Sequence, residues 1–287
     1  MLHTLKCDLC KSIINIGFFA AMIITVILCF TADVYTDSSN EKVYSVFEAI
    51  FVLDKSVISS EISMASVIIF SKALTGFIRL FMPIIAAFPF VVSFCSERNS
   101  GFMRFAIARS GKNVYCISKF FSAVISGGLA VTLGVLLFGI AAAVLFSPLS
   151  NYDAGTELLS IIIPSGVPIT VIKVFVSAFV YGATAVLPAF FLSAFCRNPY
   201  IITCIPFLLT YVLDTALNKL NSAYIENGDY DKIKALMPFY PDSLAQIIGG
   251  ERFGTTEIIV CIVNAIYFAA VLTGFIIIMN RRMDKGV

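Results

Sequence analysis

The chain has 287 residues, of which 59% are hydrophobic and 13% charged, and its mean hydropathy is +0.94. A soluble domain carries about 25% charged residues, so the composition excludes one and describes an integral membrane protein. The formal net charge of +2 says nothing of nucleic acid, and no such partner is expected, because in a membrane chain the placement of charges between loops matters more than their total.

A bilayer core about 30 Å thick takes about 20 apolar residues as a helix. Ser12 to Ala32 carries no charge and is the first span. It is expected to stay in place, since the apolar part of a cleaved export signal usually runs about 7 to 15 residues. Ile27 and Leu28 are also too large to precede a lipid-modified Cys29. Ser56 to Phe70 is apolar but too short and broken for a span, and belongs at the interface. The second span begins near Gly76 or Phe77 and ends before Glu97, with Arg79 snorkelling at its outer end and kinks at Pro83 and Pro89. Phe120 to Phe146 is the third span and is long enough to tilt.

Leu158 to Ile172 is interrupted by Pro164 and Pro168, which suits a re-entrant turn or an interfacial helix. The fourth span covers Pro168 to Phe195, and the fifth, Pro199 to Leu213, is short and interrupted by Pro206. A charged, hairpin-like stretch from Asn221 to Lys234 belongs in solvent, and the amphipathic Ser243 to Ile248 leads back to the sixth span, Ile258 to Met279, closed by Arg281 and Arg282. The reading is an all-α polytopic membrane protein, one transmembrane domain over residues 1–287 with six spans.

Charge placement supports that order. The side carrying both termini holds eleven basic residues against three acidic ones, Asp8, Glu97 and Asp284, whereas the other holds nine basic and fifteen acidic. Cytoplasmic loops are enriched in Lys and Arg, so both termini are expected to be cytoplasmic.

Chemistry inside the spans is sparse. The one histidine, His3, cannot build a Ser-His pair or an H-E-x-x-H helix, and no span carries paired carboxylates, so the chain is not expected to be an enzyme. Cys7 and Cys10 form a C-x-x-C, yet no second pair completes a zinc site, and no metal is expected. No G-x-x-x-x-G-K-[ST] occurs, so the chain has no nucleotide-binding domain of its own; any energy for uphill transport comes from another subunit.

The densest charge lies between spans two and three, where Glu97 to Lys119 carries five of the twenty Lys and Arg residues. Gly101 to Arg109 has the pattern of a short helix with Phe102, Phe105 and Ala106 on one side and Arg104 near the other. Asn99 or Ser100 suits its start, and Gly111 its stop. The chain resembles the membrane subunits of the ABC-2 class of ATP-binding cassette exporters, six-span permeases with a coupling helix in this loop. The resemblance rests on Glu97-Arg98-x-x-Gly101, Ala108-Arg109-Ser110, Tyr115 and Ser118-Lys119, together with the six spans and inward termini. Phe102 departs from the small hydroxyl residue often found after that glycine.

The resemblance implies a permease that pairs with a second permease, as homo- or heterodimer, in a bacterial cytoplasmic membrane. A separate ABC ATPase subunit would hold ATP and Mg. Its coupling loop would comprise Glu97, Arg98, Gly101, Phe102, Arg104, Phe105 and Arg109. Phe102 and Phe105 would enter a socket on the ATPase, Glu97 would orient the loop, and the arginines would meet acidic groups or lipid phosphates. Ala178, Gly182, Ala185 and Ala189 recur at helical spacing and serve either a dimer face or packing inside the chain. The alternatives are a nucleotide-independent scaffold or sensor, whose basic loop meets anionic lipid, and a channel formed by oligomers.

Overall fold

A computed structural model describes residues 2–37, 42–54, 58, 61–152, 166–249 and 255–284. The first apolar run does not form one helix. An amphipathic helix α1, Leu2–Ile13, and an apolar helix α2, Ile16–Cys29, meet at a 56° bend. The break falls at Ile14 and Asn15 because Asn15 is extended and its side chain accepts a hydrogen bond from the Gly17 N–H, capping α2. At 14 residues α2 is about 21 Å long, shorter than the hydrocarbon core.

The segment after α2 supplies the one departure from an all-helical chain among the described residues. Strands β1, Asp33–Asp37, and β2, Lys42–Ser45, pair antiparallel. Valine and tyrosine at Val34, Tyr35, Val43 and Tyr44 favour a strand, a signal too short to register in a membrane-length reading. Ser45 and Glu48 then form a reciprocal capping box that starts α3, Val46–Phe51. Of the stretch placed at the interface, the described end forms α4, Ser66–Ser71. Its Ile68, Ile69 and Phe70 are buried in the bundle.

Helix α5, Ile78–Asn99, runs without interruption through Pro83 and Pro89. Pro83 has no N–H for the Arg79 carbonyl four residues before it, and the Tyr181 hydroxyl donates to that carbonyl instead, at 3.0 Å. A nine-residue helix α6, Phe102–Ser110, leads into α7, Lys112–Leu145, the axis of the molecule. Helices α1, α2, α4 and α5 pack on α7, as do α8, Val167–Ala185, and the last helix, α13, Thr255–Asp284. Glycines admit these neighbours. A Cβ on Gly127 would lie 2.9 Å from the Ala86 carbonyl oxygen, and one on Gly134 would lie 2.5 Å from the Thr25 side chain.

Residues 158–165 of the second outer stretch lie outside the described residues; the rest of it opens α8, with Pro168 in the first turn. The helix breaks at Val186 before α9, Leu187–Ser193. Helix α10, Pro199–Glu226, is far longer than the short fifth span, because the polar residues after Leu213 lose hydropathy without losing helix propensity. The charged stretch is thus the end of α10, a turn at Gly228 and the exposed α11, Tyr230–Leu236. A 3-10 turn, Met237–Phe239, and α12, Ser243–Gly249, return the chain to α13.

Five helices or helix pairs are long and apolar enough to cross a bilayer: α5, α7, α8 with α9, α10, and α13. The bent pair α1 and α2 makes a sixth if it counts as one span. Packing is uneven: 61% of the apolar window of α5 is buried, against 22% for α10 and 11% for α13, so the last two form a largely uncovered apolar flank. The end where α5 stops and α7 begins is called the basic end below. Phe90, Phe94, Phe120, Phe190 and Phe275 lock α5, α7, α9 and α13 together near it, with the Phe190 and Phe275 rings 4.1 Å apart.

Candidate functional site

The loop helix α6 is set between two glycines in the left-handed half of backbone space, Gly101 at φ 73° and Gly111 at φ 84°. A Cβ on either would meet nothing within 4 Å, so backbone conformation and not room is what calls for glycine. Gly101 itself is the N-cap; neither Asn99 nor Ser100 caps the helix, and the Ser100 hydroxyl donates to the Glu97 carbonyl. Met103 is buried and anchors α6 to the bundle. Phe102 is 46% exposed and Phe105 76% exposed, and with the exposed Arg109 they occupy positions i, i+3 and i+7 of one helix face. Arg104 is exposed as well.

Glu97 sits beneath that face in a buried chain of alternating charge. Its Oε1 accepts from Lys11 Nζ at 3.0 Å, and Lys119 Nζ lies 2.6 Å from its Oε2, a coulombic contact without hydrogen-bond alignment. Lys119 also donates to Asp8 Oδ1 at 2.8 Å, and the Ser118 hydroxyl donates to Asp8 Oδ2 at 2.6 Å. The side chains of Lys119, Asp8 and Glu97 are 4%, 9% and 10% exposed. One turn along, the Ser12 and Ser122 hydroxyls meet at 3.1 Å. Lys11 further lies over the Phe102 ring, 4.3 Å from its centre, so α1 joins the border of the exposed face. Two carboxylates and two ammonium groups balance, and Lys119 ties α1 to α5 and α7 together.

Arg98 points elsewhere. Its guanidinium donates to the Ser193, Ala194 and Cys196 carbonyls, which a helix end such as that of α9 leaves without partners. Arg282 completes the set by donating to the Phe195 carbonyl at 3.1 Å. The structure therefore brings Gly101, Phe102, Phe105 and Arg109 onto or beside one surface, with Glu97 below it and Arg98 turned toward α9.

The small residues of the fourth span lie inside the chain. Ala178 and Ala189 are fully buried, Ala185 is half-buried and lines a cavity, and a Cβ on Gly182 would sit 2.8 Å from the Gly127 carbonyl oxygen, so at Gly182 this face packs closely on α7.

Sequence reasoning missed the part played by Asp8 and Lys11. The available signal was a polar stripe, Asp8 and Ser12, which are the buried positions of α1 among the described residues, matched by Ser118, Lys119 and Ser122 at helical spacing on α7. It also read Arg79 as a snorkelling anchor. Arg79 instead pairs with Asp242, Nε to Oδ2 at 2.8 Å, and approaches Asp214 at 4.0 Å. Beside this group, at the end opposite the basic one, lie two cavities. One of about 310 Å³ is mostly apolar, with Pro188, Leu209, Tyr240 and Tyr267 in its wall; the other, of about 240 Å³, is lined by Arg79, Ser177 and Asp242. Burial, with the Asp214 charge adding, pushes the Tyr240 hydroxyl above its ordinary value. No known protein family and no curated protein sequence matches the chain.

Proposed function

We propose that the chain is the membrane-spanning permease subunit of an ABC-2 class exporter, with α6 as the helix that couples it to a separate ATPase subunit. The observation that carries the reading is the exposed Phe102 and Phe105 on a nine-residue helix set between left-handed glycines and backed by the Lys119 charge chain. Exposed aromatic side chains on a short, anchored helix are what a socket on a soluble partner takes, and the charge chain passes a push on α6 to three helices together. Six spans, with α1 and α2 forming the first, and cytoplasmic termini complete the reading, and the eleven-to-three basic excess at this end supports the orientation.

A second permease completes the translocation path, and the uncovered flank of α10 and α13 is where it or lipid lies. ATP and Mg belong to the partner ATPase. The test is affinity purification of the tagged chain from its native membranes in mild detergent with added lipid. A Walker-motif ATPase in stoichiometric amount, lost on Phe102→Asp, supports the proposal. A chain that emerges alone, or only with copies of itself, overturns it in favour of a scaffold or an oligomeric channel.

A further inference from the structure

Arg98, Arg104, Arg197 and Arg282 line one cavity of about 190 Å³ at the basic end, and no acidic residue is among its described lining. Arg98 and Arg282 spend donors on the carbonyls around the end of α9, which fixes both guanidinium groups in place. A carbonyl satisfies an N–H but carries no charge to cancel the guanidinium's. Among the described residues neither these two nor Arg197 forms an ion pair, in contrast to Lys11 and Lys119 at the same end. Like charges held together in a half-enclosed cavity repel unless an anion sits between them.

We infer that this cavity binds the phosphate of an anionic membrane phospholipid. Phosphate suits planar guanidinium donors, which present paired N–H groups to its oxygens. Position selects the lipid as its source. The cavity lies where α5, α9 and α13 end; the exposed Phe195 ring lies 5.8 Å from the Arg282 guanidinium, and Tyr200 and Ile201 are exposed in the first turn of α10, an apolar surface along which acyl chains would run. Basic pockets between membrane helices at the cytoplasmic side are a recognised setting for anionic headgroups. The inference does not depend on an ATPase partner.

The test is native mass spectrometry of the purified full chain titrated with phosphatidylglycerol, phosphatidylcholine or inorganic phosphate. Phosphatidylglycerol is expected to be retained at least about fivefold better than phosphatidylcholine, and Arg197→Gln with Arg282→Gln to abolish the difference. Lys6→Gln, an exposed basic position on α1 outside the cavity, is expected to leave it unchanged. A thermal melt checks that the variants fold, and Arg197→Lys with Arg282→Lys, which keeps the charge but not the paired N–H groups, is expected to restore only part of the retention.

Equal retention of both lipids overturns the inference. So does displacement of phosphatidylglycerol by millimolar inorganic phosphate, which would make free phosphate the ligand. Loss of a co-purifying protein in the Gln variants with lipid retention unchanged would assign the cavity to a protein partner and overturn it equally.

Discussion

The two ends of the bundle each hold a cluster of opposite charges, built to different standards. At the basic end Lys119, Asp8 and Glu97 are sealed from solvent, and within this cluster every charge has a partner of opposite sign. At the opposite end the Arg79 side chain is 40% exposed, Asp214 is 4.0 Å away, and cavities of about 310 and 240 Å³ open beside the Asp242 pair. A sealed, neutral cluster joining three helices resists shear, whereas a half-open pair beside empty volume can rearrange at little cost. Under the proposed function the basic end would receive force and the opposite end would change shape.

The largest effect is expected from removing the hub of the sealed cluster. Lys119→Met leaves Asp8 and Glu97 buried without their shared cation, and should cost about 3–5 kcal/mol in a thermal or denaturant melt in detergent. Gly182→Val comes next: its side chain must push aside the Gly127 backbone, for about 1–3 kcal/mol by the same melt. At the open end Tyr181→Phe removes only the donor to the Arg79 carbonyl and should cost about 1 kcal/mol. If Tyr181→Phe proved as damaging as Lys119→Met, the contrast between the ends would fail. The smallest effect on stability is expected from Phe102→Asp and Phe105→Asp, within about 0.5 kcal/mol of the parent, since both side chains are already exposed.

Much of this frame was legible in the chain. Runs such as Phe120 to Phe146 and Ile258 to Met279 announce their helices by hydropathy alone, and Gly111 marks the end of α6, whereas its cap is Gly101 and not the expected Asn99 or Ser100. What stayed hidden depends on partners distant in sequence. Asp8 and Lys119 stand 111 residues apart, and Arg79 and Asp242 meet only once α12 has folded back beside α5 and α8. The bend after Ile13 was invisible for a different reason: a single asparagine cap overrides an apolar run that hydropathy reads as continuous. Likewise α10 outlasts its apolar part because helix propensity and hydropathy part company after Leu213.

The measurement that tests the central claim most directly is photo-crosslinking in native membranes from a photoreactive amino acid placed at Phe105, the most exposed aromatic position of α6. A single major adduct is expected, to a Walker-motif ATPase, weakened when Phe102→Asp is added. Adducts only to lipid or to a second copy of the chain would contradict it, because α6 would then face a membrane or a sister subunit and receive no force from a nucleotide-driven partner.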